Sequence, residues 1–173
     1  MTENGKALIR KFEGCSLVAY LCPSKVWTIG YGNTTYADGT PVKEGDKIDM
    51  YTANQLFDIT LDKFEKQVKM LLGDTLIVTL PKEAIDALVS LAYNIGTGAF
   101  AKSTLLKKLK ENKLNFNEIE KWWTCWNKSN GKVLNGLVRR RAAEFDMYMN
   151  AVLNQYTKKE TYDIGYNNGK KAR

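Results

Sequence analysis

The stretch Phe12–Thr34, "FEGCSLVAYLCPSKVWTIGYGNT", decides the fold class and contains the candidate site. It places a single acid, Glu13, in a segment that is otherwise apolar, aromatic and rich in glycine. Thiols follow at Cys15 and Cys22, and a hydroxyl follows at Thr28. Aromatic surroundings weaken the solvation of a carboxylate and favour its protonated form, which can donate a proton. The alternative is an acid that is solvated at the end of a helix.

Residue patterns on both sides of Glu13 predict the elements of a sheet lobe. Residues 2–13 are expected to form a short amphipathic helix that stops at Gly14. β-Branched and aromatic residues, interrupted by proline and glycine, predict two or three short antiparallel strands over about 18–35. The segment "ADGTPVKEGD" predicts a turn. After it, Thr52 is expected to cap a long helix that ends at Gly73.

Helical patterns dominate the rest of the chain. Further helices are predicted at about 82–94, 103–111, 117–127 and 135–150, with caps at Ser103 and Asn135. Early strands and later helices indicate an α+β chain: a small antiparallel sheet lobe at about 14–52, joined by the long helix to a larger helical lobe. That lobe covers about 74–150 and includes the N-terminal helix. Residues 1–155 are expected to form one domain, with a polar tail at 156–173 and a substrate cleft between the lobes.

The composition excludes several kinds of catalysis. The chain has 173 residues and no histidine. Catalytic arrangements that need imidazole, such as Cys–His and Ser–His–Asp, are therefore excluded, as are zinc sites with histidine ligands. Carboxylates, lysines, tyrosines and thiols remain as candidates for acid–base chemistry. The three cysteines are an odd number, which favours free thiols.

The net charge of +7 favours an anionic partner. Nucleic acid, a membrane surface and an acidic wall polymer all fit such a charge, but no nucleic-acid-binding module is recognisable. No apolar run approaches the roughly 18 residues of a membrane span, so stable membrane insertion is not expected. The start, "MTENGKALIR", lacks the apolar centre of a signal peptide. The charge alone leaves these kinds of anionic partner open.

Two clusters in the second half have a functional and a structural interpretation. Tryptophans lie at positions 122, 123 and 126. Their rings can stack on sugars, but at helical spacing they more often fill a core, which is the favoured interpretation. In "VRRRAAEF", three adjacent arginines point in different directions on a helix, so one is expected to support the cleft and the others to be solvated. An exposed pair between Arg140 and Glu144 would contribute only about 0.3–0.5 kcal/mol.

The spacing of the candidate site residues resembles a known family. Eight residues separate Glu13 from Cys22, and five separate Cys22 from Thr28. This spacing and "FEG…AY…VWTIGYG.T" resemble the phage-type lysozymes, the glycoside hydrolases that include T4 lysozyme. The segments "ALVSLAYNIGTGAFAKSTLLKKL" and "GLVRRRAAEFDMYM" are also similar to that family. The resemblance covers roughly residues 5–150 and implies a lysozyme-like fold of two lobes.

The resemblance implies a role for each of the three residues. Glu13 would be the general acid that protonates the glycosidic oxygen between N-acetylmuramic acid and N-acetylglucosamine. Cys22 stands where the family usually has aspartate, and Thr28 would position water or the reacting sugar. A thiolate could stabilise an oxocarbenium ion or act as a nucleophile, but it needs a lowered pKa. The alternative for Cys22 is a small buried apolar residue.

The resemblance also implies substrate contacts at Tyr31, Asn33, Asn94 and Phe100. Asn33 stands where many relatives have histidine, and an amide cannot carry that charge. The segment around Asn94 has a structural alternative, since glycines after "YN" also cap a helix. No metal and no cofactor are implied.

The expected function is that of a phage or prophage endolysin. A monomer made in the host cytoplasm would act on peptidoglycan in the periplasm or outside the cell. No signal peptide is seen, and the resemblance implies that the protein would reach the wall through a holin-type pore. The alternatives are a lytic transglycosylase and a peptidoglycan-binding protein with impaired catalysis at Cys22.

Overall fold

The computed structural model describes residues 1–111 and 115–155, and its first helix ends at the candidate acid. Helix α1 (Glu3–Glu13) begins after Thr2, whose hydroxyl accepts a hydrogen bond from the Gly5 amide. It ends at Gly14, which has a positive φ of 67°. This conformation is favourable for glycine, and it turns the chain out of the helix directly after Glu13.

A two-stranded hairpin follows α1. Strand β1 (Ser16–Leu21) pairs antiparallel with β2 (Trp27–Gly30), and Tyr20 lies opposite Thr28. The turn between the strands includes Lys25, which has a positive φ of 58°. The predicted antiparallel strands are therefore present, over a shorter span than expected.

The two lobes are joined by the predicted long helix, α2 (Met50–Leu72), which ends before Gly73. The predicted cap was wrong. Asp49 caps α2, and its carboxylate accepts a hydrogen bond of 2.7 Å from the Thr52 amide. A carboxylate accepts this bond more strongly than a hydroxyl does, so the cap lies three residues before the expected one.

The helical lobe contains more elements than its sequence pattern predicts. It comprises α3 (Asp74–Thr79), α4 (Lys82–Ile95), α5 (Thr97–Ala101), α6 (Thr104–Lys110), α7 (Phe116–Thr124) and α8 (Asn135–Gln155), and a hairpin of β3 (Lys128–Ser129) with β4 (Lys132–Val133). Ser103 caps α6 as predicted. Asn135 is the first residue of α8, and the Leu134 carbonyl already accepts from the Val138 amide, so Asn135 is not the cap. The predicted tail at 156–173 lies outside the described residues.

Helix α4 is the centre of the helical core. Its residues Ala84, Leu88 and Leu91 are fully buried and pack among side chains of the surrounding helices. Trp123 of α7 is also fully buried, while Trp122 and Trp126 are partly buried against the same core. The structure therefore agrees with core packing of the tryptophans. Trp126 lies beyond the end of α7, because the chain turns there toward β3.

A second core cluster connects α1 and α2 with the sheet lobe. Ile9 of α1, Tyr31 after β2, and Phe57 and Leu61 of α2 are its largest members. The rings of Tyr31 and Phe57 are 4.7 Å apart between centroids. This cluster therefore packs α1 and α2 against the segment that follows β2.

The close approach of α1 to α4 gives a stability prediction at Gly5. A Cβ at Gly5 would lie only 2.5–2.7 Å from side-chain atoms of Asp86, which is itself buried and bonded to Thr2. Helix propensity favours Ala over Gly by about 1 kcal/mol, but overpacking costs about 1–3 kcal/mol or more. We expect Gly5→Ala to lower the free energy of unfolding by about 1–2 kcal/mol in urea titrations.

The matched control is Gly136→Ala in the first turn of α8. Nothing lies within 4 Å of a Cβ built at Gly136, so this variant should be neutral or more stable than the wild type. A Gly5→Ala protein as stable as the wild type would show that α1 and α4 are not packed this closely.

Candidate active site

Glu13 faces a buried arginine from the far end of the chain. Its Oε1 accepts a hydrogen bond of 2.6 Å from Nη1 of Arg140, which lies 127 residues later in the sequence. The Glu13 side chain is 20% exposed, so it is neither fully buried nor free in solvent. The Arg140 guanidinium also lies 5.7 Å from the centre of the Phe12 ring. The partner of the Glu13 carboxylate is therefore a cation, and Phe12 packs against the same guanidinium.

Two of the three adjacent arginines are buried, which corrects the expectation of an exposed pair with Glu144 and of two solvated arginines. Arg139 is exposed, as predicted. Arg140 is 3% exposed, and both Arg141 and Glu144 are fully buried. Arg140 donates to Glu144 through Nε at 3.0 Å and to the Ser90 carbonyl through Nη2 at 3.2 Å. The burial arises because α8 packs along α4, a contact that the local sequence of α8 does not reveal.

Cys22 lies in the tight turn between β1 and β2. Its amide donates to the Val26 carbonyl at 3.0 Å, and its carbonyl accepts from the Lys25 amide at 2.8 Å. A hydrogen bond from the Val26 backbone has the largest effect on the pKa of the Cys22 thiol, which is lowered despite partial burial. The backbone of Ser24 and the Thr28 hydroxyl act in the same direction. The turn therefore lowers the pKa of this thiol, which is the direction that a catalytic thiolate would require.

Thr28 is buried on β2 beside this turn. Its Oγ1 donates a hydrogen bond of 3.0 Å to the Val26 carbonyl, so both Thr28 and Cys22 are held by the same residue. The spacing in the sequence thus corresponds to proximity across a hairpin.

Two tyrosines that were not among the predicted site residues interact electrostatically with Glu13. The pKa of Tyr20 is raised first by burial and then by the negative charges of Cys22 and Glu13, which places its hydroxyl within electrostatic reach of both. The pKa of Tyr93 is raised by burial and by Glu13. The Tyr93 hydroxyl donates to the Tyr31 carbonyl at 2.7 Å, which joins α4 to the sheet lobe. Both tyrosines lie in segments that carry the family resemblance, "AY" and "ALVSLAYNIGTGAF", and this was the sequence signal that could have identified them.

The four residues expected to bind substrate differ in exposure. Asn94 is exposed at the end of α4. Tyr31 is 7% exposed, and Phe100 is fully buried in the helical core. Asn33 is buried, and its Nδ2 donates to Thr60 Oγ1 of α2 at 2.8 Å. Asn94 is thus the one member of this set with an exposed side chain, and the side chains of Asn33 and Phe100 face the interior.

The arrangement combines three chemical abilities at the junction of α1 and the hairpin. A carboxyl can transfer a proton, a thiolate can supply negative charge or a nucleophile, and a hydroxyl can orient water. Over residues 1–111 and 115–155, no group of Cys, Asp and Glu side chains is arranged to hold a metal ion. Within the same ranges, no helix combines the length and apolar character needed to span a bilayer.

A helix that ends in an acid beside a small antiparallel hairpin, with a long helix leading to a helical lobe, defines a lysozyme-like fold. The sequence model of the phage lysozyme family matches residues 10–144. The chain belongs to the phage lysozyme family.

Comparisons with individual proteins agree with this assignment. The endolysin of Bacillus phage B103 is 38% identical over 151 residues, which cover 86% of this chain and 54% of that relative. The chain spans about half the length of the Bacillus phage relatives it matches.

Two solved structures are matched by this chain over nearly their whole length. The endolysin from Escherichia coli O157:H7 phage FAHEc1 has a TM-score of 0.75 and 34% identity, covering 91% of this chain and 96% of that one. The muramidase domain of SpmX from Asticaccaulis excentricus has a TM-score of 0.72 and 30% identity, covering 86% and 96%. These likenesses confirm the predicted α+β, lysozyme-like fold and the family resemblance.

Proposed function

We propose that this protein is a muramidase that hydrolyses the β-1,4 bond between N-acetylmuramic acid and N-acetylglucosamine in bacterial peptidoglycan. It would lyse the cell wall as a phage or prophage endolysin. The observation that carries the proposal is the position of Glu13, which ends α1 beside the Cys22–Thr28 hairpin and pairs with Arg140. Family membership and the names of the relatives, endolysin and muramidase domain, support it.

Glu13 acts as the general acid in this proposal. Arg140 Nη1 donates to Oε1, so we assign the transferred proton to Oε2. Protonated Oε2 donates to the glycosidic oxygen as the bond to the sugar breaks, and positive charge develops on the sugar ring. The partly exposed side chain is accessible to the substrate, while the buried guanidinium fixes its direction.

Cys22 and Thr28 act on the sugar ring and on the water that attacks it. The thiolate, favoured by the lowered pKa of Cys22, either stabilises the oxocarbenium ion by its charge or attacks it as a nucleophile. Thr28 lies in the same turn and orients the water that completes hydrolysis. Among the residues expected to contact substrate, exposed Asn94 is the best-placed polar group.

The remaining parts of the proposal concern access and partners. We infer that the protein acts as a monomer on peptidoglycan, after synthesis in the host cytoplasm and passage through a holin-type pore. The net charge of +7 supports adhesion to anionic wall polymers, which salt would weaken. No nucleic-acid partner and no cofactor form part of the proposal.

Analysis of the products tests the reaction type. We expect digestion of purified peptidoglycan to release fragments with a reducing N-acetylmuramic acid end, detected by borohydride reduction and mass spectrometry. Because Glu13 and an oriented water complete a hydrolysis, the 1,6-anhydro form should be absent. Products that end in anhydro-muramic acid would instead establish a lytic transglycosylase.

A further inference from the structure

Glu144 connects four hydrogen-bond donors in the interior of the helical lobe. Ser90 Oγ donates to its Oε1 at 2.7 Å, and Trp123 Nε1 donates to its Oε2 at 3.3 Å. Arg140 Nε donates to Oε1 at 3.0 Å, and Arg141 Nη2 also donates to Oε1 at 3.0 Å. The donors come from α4, α7 and α8. A buried carboxylate is costly unless it is paired and hydrogen-bonded, and both oxygens of Glu144 accept hydrogen bonds.

The charges of this cluster balance only when Glu13 is included. Arg140 and Arg141 carry two buried positive charges, and Glu144 provides one negative charge between them. Burial lowers the pKa of Arg141 to about 10, and the charge of Glu144 opposes that change. Glu13 supplies the second negative charge, at the exposed end of the cluster.

The geometry of Arg140 shows what Glu144 does for the candidate site. The planar guanidinium is held at Nε by Glu144 and at Nη2 by the Ser90 carbonyl. With these two positions fixed, Nη1 is left to point at Glu13. Three bonds from one rigid, planar group thus transmit the position of Glu144 to the candidate acid.

We propose that Glu144 is a positioning residue for the reaction: it directs Arg140 toward Glu13 and neutralises half of the positive charge behind that acid. The inference rests on the proposed role of Glu13 as general acid. Glu144 itself, fully buried, touches no substrate. Its geometric effect reaches Glu13 through Arg140, and its charge offsets that of both arginines.

The sign of the charge effect follows from the groups that face Glu13. Arg140 and Arg141 of α8 are the cations, while Tyr20 of β1 and Tyr93 of α4 interact with its charge from the other elements. The thiol of Cys22 acts on the same Tyr20. Removing the charge of Glu144 leaves both cations uncompensated, which favours the carboxylate form of Glu13. The titration of Glu13 should therefore move to lower pH.

The direct experiment follows the titration of Glu13 by carboxyl-carbon NMR in the wild type and in Glu144→Gln. We expect the midpoint for Glu13 to fall by about one pH unit in the variant. In peptidoglycan turbidity assays, the basic limb of the pH–activity profile should move to lower pH by a similar amount. The rate at the wild-type optimum should fall on the order of 10–100-fold, because the acid is both misplaced and less protonated.

Two milder variants and one control complete the design. Glu144→Asp retains the charge, so the midpoint for Glu13 should stay near the wild-type value. Ser90→Ala removes one donor to Glu144 and should lower the rate by on the order of 10-fold, also with little change in the midpoint. Glu120→Gln, an exposed substitution of the same kind on α7, should change neither quantity. If Glu144→Gln does not fold, the Glu144→Asp and Ser90→Ala proteins decide the question.

The possible results separate this inference from the proposed function. A folded Glu144→Gln protein with wild-type titration and rate, or folded Ser90→Ala and Glu144→Asp proteins that both have the wild-type rate, would overturn the positioning role. An inactive wild type would overturn the proposed function. In that case the NMR titration still decides whether Glu144 controls Glu13.

Discussion

Glu13→Gln is expected to lower the rate of peptidoglycan lysis by roughly 100-fold or more, the usual contribution of a general acid. Glutamine has the same shape, and its amide oxygen can still accept the hydrogen bond from Arg140 that Oε1 accepts in the wild type. It has no acidic proton to give to the leaving oxygen. The variant should therefore remain folded and still bind cell walls, but turbidity should fall very slowly.

The matched control is Glu3→Gln on the same helix. The Glu3 side chain is 81% exposed and lies at the opposite end of α1 from Glu13, so lysis should continue at the wild-type rate. A folded Glu13→Gln protein with more than a tenth of the wild-type rate would contradict the role of Glu13. A wild type that binds walls without lowering turbidity would instead support a binding protein with impaired catalysis.

Cys22→Ala is expected to lose activity on the order of 100-fold or more, whereas Cys22→Asp should retain measurable activity. Alanine can supply neither a negative charge nor a group that orients water. Aspartate supplies both, and the backbone of Val26 that lowers the pKa of the thiol can also bond to a carboxylate. Turbidity assays of both variants beside the wild type measure this difference.

The pH dependence gives an independent readout of the charge at position 22. A required thiolate makes wild-type activity fall as the pH drops through the pKa of the thiol, which the turn has lowered. Since ordinary pKa values are about 8.5 for cysteine and 3.9 for aspartate, Cys22→Asp should move this acidic limb to lower pH. Cys15→Ala, at an exposed cysteine before the same strand, should leave the rate and the limb unchanged. Near-normal lysis by Cys22→Ala would refute a catalytic thiol.

The elements that could be predicted from the sequence are those whose signals are local. Helix α1 ends at Gly14 and α2 ends before Gly73, and a positive φ makes glycine favourable at both positions. Helices α3 and α5 have six and five residues, too few for a periodic pattern to appear. The hairpin of β3 and β4 does have a local signal, the Asn130–Gly131 turn with positive φ at both residues, which the helical interpretation of its surroundings obscured.

The candidate site was predictable only in part, because its partners are distant in sequence. The intervals between Glu13, Cys22 and Thr28 span one helix end and one hairpin, so a family resemblance could identify them. The burial of Arg140 depends on how α8 packs against α4, which neither helix specifies alone. Phe100 is buried for a similar reason: α5, which carries it, packs against α2 and α4, and the adjacent glycine-rich segment does not reveal these contacts.

The contact between the first helix and the last has a consequence for synthesis on the ribosome. Glu13 is translated early, whereas Arg140 follows 127 codons later and belongs to the final described helix. A nascent chain that stops before α8 has its acid but lacks the guanidinium that holds it. Assembly of this pair therefore requires that translation has passed α8, so shorter products of interrupted translation carry an incomplete catalytic centre.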